Sequence, residues 1–400
     1  MQIFTGMPAY AYTTSNARRI EFQPNRCIRR TQASRFWPLR IRGRAINGIL
    51  FCLRISLRLL RYSRRGDLIL YTTEPAYLPL LGWLLHRLTR TPYLVLIYDL
   101  YPDVLVGLGV LRANHPLVRL WRRFNRWVFA DAQELIVLSE PMAERVRAHE
   151  PAAISKLTVI PSWADSEQIR PRPKAANWFV QRQKLEGRFT VLYSGNQGRC
   201  HDLLTVLGAA RELHHDPEVQ FLFIGKGPQH QRLRQLVHDW GLSNCRFLPY
   251  QELCDLPYTL AAADLALVSL SIDAEGLVAP SKLYGHLAAG TPIAAITPAN
   301  SYLRQLVEGQ GCGRWFANGN AADLAAWIAE LKADPAQAAA CGQAARALLE
   351  RTATPEIITA QYLTLIEQHL PETKTLAPIP AATPVEPVGS VSRAAQVGPA

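Results

Sequence analysis

No run of eighteen or more uncharged apolar residues occurs in the 400-residue chain, so no membrane-spanning helix is expected. Met1-Gln-Ile-Phe-Thr-Gly6 lacks a basic stretch followed by an apolar one. No secretory leader is read there, and the chain is expected in the cytoplasm. The seven cysteines (Cys27, Cys52, Cys200, Cys245, Cys254, Cys312 and Cys341) are scattered, odd in number and without a CxxC pair, which argues against a disulfide or zinc framework. Lysine is missing from the first hundred residues. Sixteen Arg stand there against Glu21, Asp67, Glu74 and Asp99, and that excess of +12 is the whole formal net charge, leaving the other 300 residues neutral. The basic character therefore belongs to one region and points to an anionic surface as partner.

What is present suggests two domains, at about 100–200 residues each. The first ten residues can hold a short strand, and 11–45, Arg-rich and without periodicity, read as a long mobile loop. Residues 46–62 read as a basic amphipathic helix: Ile46, Ile49, Leu50, Leu53, Leu57 and Leu60 share one stripe, and Arg54, Arg58, Arg61 and Arg65 another. It is either a domain helix with a solvated Arg face or a means of attachment to anionic lipid or a polyanionic substrate. Strands at 67–72, 93–99, 134–139 and 157–160 then alternate with helices at 78–88 and 117–129, which implies parallel β-α-β units. Ligands sit beyond the carboxyl ends of such strands, where Asp99-Leu-Tyr-Pro-Asp103 falls. The two carboxylates can bind sugar hydroxyls or accept a proton, or can be loop and cap residues.

A Pro-containing segment, 161–187, reads as a linker, after which the alternation restarts with strands at 189–195, 219–224, 245–248, 263–268 and 293–296 and helices at 321–333, 336–351 and 355–370. Three loops here carry chemistry. Gly195-Asn-Gln-Gly198 with Arg199 lets backbone approach a pyrophosphate that Arg199 can neutralise; Gly225-Lys226-Gly227-Pro228 opens the next helix; and Glu275 to Pro292 holds Pro280, Ser281 and Lys282 at a helix start. Ser281 is expected as N-cap, its hydroxyl and the Lys282 ammonium converging on one point. Each loop alone also fits an ordinary α/β crossover. Three in one sheet favour a nucleotide or phosphosugar site. Beyond residue 371 the Pro- and Ala-rich chain reads as a disordered tail.

Val191-Leu-Tyr-Ser-Gly-Asn-Gln-Gly-Arg199, Phe223-Ile-Gly-Lys-Gly-Pro228, Pro280-Ser-Lys-Leu-Tyr-Gly-His-Leu-Ala-Ala-Gly-Thr-Pro292 and Asp99-Leu-Tyr-Pro-Asp103 resemble the bacterial group-1, family-four glycosyltransferases, notably those of exopolysaccharide and colanic-acid type, over about 1–370. The resemblance implies an α/β fold of GT-B type, two Rossmann-like domains with parallel sheets facing a cleft. It divides the chain into an acceptor-side domain (1–165), a linker (166–187), a nucleotide-sugar domain (188–354), a helix crossing back (355–370) and the tail (371–400). It implies retention of configuration with no obligatory metal and no cofactor, the nucleotide-sugar being a substrate; no Asp-x-Asp stands at a strand end. By motif, Gly195, Asn196, Gly198 and Arg199 line the donor phosphates, Ser281 and Lys282 hold the diphosphate, Gly225, Lys226 and Gly227 approach the base, and Asp99 and Asp103 face the acceptor and the reacting carbon.

Two departures stand out. Many members carry two glutamates eight positions apart, where this chain has Leu277 and Gly285, with Glu275 as an approximate stand-in for the first. Members also begin with a further β-α unit ahead of Thr5-Gly-Met-Pro8, which is missing from this reading. The expected partners are a nucleotide-sugar donor, a saccharide or lipid-linked acceptor and an anionic membrane surface met through 46–65, at the inner face of the plasma membrane. Alternatives are a non-catalytic or truncated nucleotide-binding paralogue and a GT-B nucleotide-sugar epimerase. No nucleic-acid module is found, so no nucleic-acid partner is expected.

Overall fold

The computed structural model describes residues 1–7, 17–31, 41–63 and 66–370; the expected tail lies outside them, as do 8–16 and 32–40. The chain opens with β1 (Gln2–Gly6), β2 (Ile20–Gln23) and β3 (Arg26–Thr31), β1 parallel and β2 antiparallel to β3. This corrects the expectation of a structureless 11–45. Residues 20–31 form a hairpin stitched by an ion pair between Glu21 and Arg30 (2.8 Å), and α1 (Ile41–Tyr62) starts five residues earlier than expected.

A second sheet, all parallel, runs β4 (Ile69–Thr72), β5 (Tyr93–Ile97), β6 (Glu134–Val137) and β7 (Leu157–Val159) in that order. Its crossovers are α2 (Leu78–Thr89), then the short α3 (Asp103–Gly107) with α4 (Pro116–Asp131), then α5 (Glu140–His149). β5 and β6 are buried at every residue, as central strands are when helices cover a parallel sheet.

The segment expected as a linker is instead folded into the second half. α6 (Trp178–Gln183) buries Phe179 and Val180 completely in that half's core, with Leu185 beside them. There follow β8 (Phe189–Ser194), α7 (Leu204–Glu212), β9 (Val219–Ile224), α8 (His230–Asp239), β10 (Cys245–Leu248), α9 (Leu256–Leu260), β11 (Leu265–Ser269), α10 (Lys282–Ala288), β12 (Ile293–Thr297), α11 (Tyr302–Gly309), β13 (Gly313–Ala317), α12 (Ala321–Ala333) and α13 (Pro335–Thr352). The six strands form one parallel sheet in the order β10-β9-β8-β11-β12-β13. α14 (Pro355–His369) returns to the first half, where Ile358 and Leu365 enter the core and His369 Nε2 lies 3.3 Å from Glu134.

The halves are also joined by the loop between β11 and α10. Leu277 is buried in the first half's core, Leu100 N–H donates to its carbonyl at 3.0 Å, Asp99 pairs with Val278 as an isolated bridge, and Arg145 Nε donates to the Glu275 carbonyl at 2.9 Å.

Candidate active site

In the second sheet the chain leaves β8 for β9 on one side and returns to β11 on the other. The crevice between the carboxyl ends of β8 and β11 is therefore the point where strand order reverses, the usual ligand site of such sheets. Lys282, the first residue of α10, enters it. Its Nζ donates to the Tyr193 hydroxyl at 2.7 Å, lies 3.1 Å from His201 Nε2 and sits 4.3 Å from the centre of the Tyr193 ring. The Tyr193 hydroxyl donates onward to the Asn196 carbonyl at 2.7 Å. No carboxylate is among these partners. Burial pushes the ammonium down to about 7, Cys200 opposing. Burial and then the Lys282 charge push His201 to about 3, and the same two causes act on His286, which is wholly buried with both ring nitrogens unpaired. The site is a half-buried cation among neutral groups, an arrangement suited to an anion.

Arg199 stands exposed in the turn after β8 and makes no hydrogen bond or ion pair among the described residues. Two of the glycines have a packing task. Gly225, at φ 124°, lies against the first turn so closely that a Cβ would meet the Gly195 carbonyl oxygen at 2.1 Å, and one on Gly227 would meet that of Gln197 at 2.5 Å. These two glycines let one loop pack closely on the other. Lys226 is exposed, and its carbonyl accepts from Gln197 N–H at 3.0 Å, holding the Gly195–Gly198 turn in shape. Asn196 is exposed beside Gly198, whose carbonyl accepts from the Gln229 amide at 2.5 Å. Pro280 is buried. Ser281 is exposed and makes no capping bond, and α10 spans only seven residues, so the cationic chemistry rests on the Lys282 side chain and not on a capped helix end.

The two aspartates separate. Asp99 lies at the seam between the halves, its carboxyl free of hydrogen bonds among the described residues and raised to about 6 by burial and by Glu74; Cys200, pushed to about 11 by burial and then by Asp99, faces it from the second half. Asp103 is corrected: its carboxylate is turned onto α4, where Arg122 donates to it at 2.5 Å, and His149 Nε2 lies 3.9 Å away. It is 12% exposed at the side chain and lines a cavity of about 310 Å³ with Leu100, Arg119, Asn125 and Glu150 in the first half, a different place from the crevice that holds Lys282. Glu275 is 6% exposed with both carboxylate oxygens buried and unpaired; Ser301 and the Tyr302 amide lie near enough to oppose the upward push of burial without forming well-aligned bonds.

Tyr193, His201 and Ser269 were assigned no role from sequence. His201 stands two residues past Arg199, in the turn already singled out, and Tyr193 reads as an ordinary core strand residue.

Two α/β halves with parallel sheets, joined by a cross-domain loop and a returning helix, with a basic crevice at the switch point of the second, define a GT-B enzyme. Residues 175–348 match the family "Glycosyl transferases group 1", and residues 6–163 match "Glycosyl transferase 4-like domain". The chain belongs to the group-1 glycosyltransferases and is a glycosyltransferase. It is 28% identical over 276 residues, 68% of either chain, to the probable glycosyltransferase WbjE of Pseudomonas aeruginosa. It is 27% identical over 230 residues to the putative colanic acid biosynthesis glycosyl transferase WcaI of Escherichia coli, spanning 56% of that protein's length. Among solved structures it is similar to a sucrose-phosphate synthase from Thermosynechococcus elongatus (TM-score 0.72, 20% identity, 92% of this chain and 88% of that one) and to HepE of Anabaena in complex with UDP-glucose (0.66, 17%, 85% and 86%).

Proposed function

We propose that the enzyme moves a sugar from a nucleotide-sugar donor, held in the second half's crevice, to a saccharide or lipid-linked acceptor approaching from the first half, with retention of configuration and no resident metal. The observation that carries this reading is the Lys282 ammonium, half-buried without a carboxylate partner at the β8–β11 switch point. A departing nucleoside diphosphate supplies the missing negative charge, and Arg199, exposed in the turn after β8, shares it. The bond from the sugar carbon to the diphosphate oxygen breaks as the acceptor oxygen bonds to the same face and passes its proton to the departing diphosphate oxygen, so no base is needed on the opposite face. Asp99, free at the seam, is placed to orient acceptor hydroxyls. The relatives' names favour a cell-envelope polysaccharide as the product, and HepE's complexes favour UDP as the first nucleotide to try.

The membrane-facing part of the proposal rests on α1. Its packed face is Cys52, Ile55 and Leu59, not the stripe expected from sequence. That stripe is exposed at Ile46, Ile49, Leu53, Leu57 and Leu60, 40–68% in each case, with Arg54, Arg58 and Arg61 along one flank and the exposed Leu84 and Leu88 on neighbouring α2. An apolar ridge flanked by arginine fits an anionic lipid surface at the inner face of the plasma membrane. No helix among the described residues is long and apolar enough to cross a membrane.

The test is calorimetric titration with UDP-, GDP-, ADP- and dTDP-sugars, repeated on Lys282→Ala. Selective binding that the variant loses supports the reading; no binding to the intact enzyme by any of them sinks it.

A further inference from the structure

The Lys282 ammonium is oriented by two neutral acceptors, and the state of each is fixed by a third group. His201 Nδ1 lies 2.7 Å from the Ser269 carbonyl oxygen. A carbonyl only accepts, so Nδ1 carries the hydrogen and Nε2 presents its lone pair to Lys282. The Tyr193 hydroxyl gives its hydrogen to the Asn196 carbonyl and likewise presents a lone pair. We propose that His201 is the positioning residue for Lys282: its Nε2 and the Tyr193 hydroxyl take two of the ammonium's three N–H bonds, leaving the third for a phosphate oxygen of the ligand.

The inference rests on the reading that the crevice takes a nucleoside diphosphate. It explains why a histidine stands where an acid would hold the lysine more strongly. A carboxylate would neutralise the ammonium and compete with the phosphate; a neutral imidazole directs it and leaves its charge uncompensated. It also explains the placing of the ring, which ties the turn after β8 to the end of β11 and so fixes Lys282 relative to both strands that frame the crevice. A protonated ring would set an N–H against the ammonium, and burial with the Lys282 charge keeps the ring neutral. The titratable groups facing Lys282 are Tyr193 from β8, Cys200 and His201 from the turn after it, and His286 further along α10; Asp99 faces Cys200 from the first half.

Two variants separate positioning from mere packing. His201→Gln keeps an acceptor for Lys282 and a donor for Ser269; His201→Leu keeps neither, and His201→Asn, too short to reach Lys282, replaces it if it fails to fold. Titration with UDP is expected to show affinity about tenfold weaker in His201→Leu and within about threefold of wild type in His201→Gln. The pH at which affinity falls on the alkaline side moves lower in His201→Leu and returns in His201→Gln. In the ligand-free enzyme, the rate of Lys282 acylation by an amine reagent, followed by peptide mass spectrometry from pH 6 to 10, gives its midpoint directly. That midpoint is expected to drop in His201→Leu. A His201→Leu enzyme that melts lower but keeps the wild-type acylation midpoint overturns the positioning role, whatever the nucleotide titrations show. A wild type that binds no nucleotide, with the midpoint shift intact, counts against the donor reading alone.

Discussion

Leu100 N–H donates to the Leu277 carbonyl at 3.0 Å, which fastens the loop after β5 in the first half to the loop before α10 in the second. Asp99 and Lys282 lie on either side of this fastening, one residue before Leu100 and five after Leu277. The spacing between the two halves' chemistry is thereby set by a backbone hydrogen bond.

Gly107 tests that spacing. At the end of α3 it lies so near the second half that a Cβ would meet the Asp273 carbonyl oxygen at 2.6 Å, and the atom in the way is backbone. Gly107→Ala is expected to push the 273–277 loop from its seat and misplace the reacting groups, lowering kcat roughly tenfold to a hundredfold while UDP affinity stays within a few-fold. Unchanged kcat would mean that the seam does not set catalytic geometry.

The depressed Lys282 ammonium makes a pH prediction with a definite sign. The charged form binds the diphosphate, so the complex holds its proton more tightly than the free enzyme, whose midpoint is about 7. Above that midpoint nucleotide affinity is expected to fall as pH rises, approaching tenfold per unit until the higher midpoint of the complex is reached. Calorimetry at pH 8 in buffers of different ionisation heat checks this, since binding there should take up close to one proton. Lys282→Ala removes the uptake.

The fold was legible because buried parallel strands are unbroken apolar runs: 93–97 and 265–268 could be seen in the letters and are buried throughout. Elements that failed to show are those whose pattern is set by tertiary contact. β13 is an edge strand reading Gly-Arg-Trp-Phe-Ala with one buried residue, and α6 looks like a linker until Phe179 meets the second core. At the site the cations and the turn were legible as motifs. His201 was not, because its role comes from Ser269, 68 residues away. Asp103 was misread for the converse reason: post-strand position suggested the cleft, and only the structure shows that Arg122 turns it away.

The two aspartates therefore predict different phenotypes. Asp103→Ala breaks the pair with Arg122 and is expected to cost about 1–2 kcal/mol of stability, read as a lower Tm, with kcat within about twofold. Asp99→Asn is expected to leave Tm and UDP affinity near wild type and to lower kcat by about a hundredfold. The Asp99 carboxyl, raised to about 6, also predicts an acidic limb in kcat near that pH, with activity rising as the group ionises; the limb should be absent from Asp99→Asn. A limb that persists in the variant assigns the titration elsewhere.

The exposed ridge of α1 makes the last prediction. Leu53 and Leu57 are 49% and 68% exposed and lie outside the packed face, so Leu53→Glu with Leu57→Glu should fold and melt as the wild type does. On an anionic bilayer the same change removes two buried apolar side chains and adds two repelled charges. Sedimentation with vesicles containing phosphatidylglycerol is expected to pull down the wild type at low salt and lose at least tenfold in the double variant. Turnover of a water-soluble acceptor fragment should not change, because the ridge lies on α1 and the crevice in the other half. If vesicles retain the double variant as strongly as the wild type, the arginines alone hold the surface or another face does, and the ridge has a different occupant.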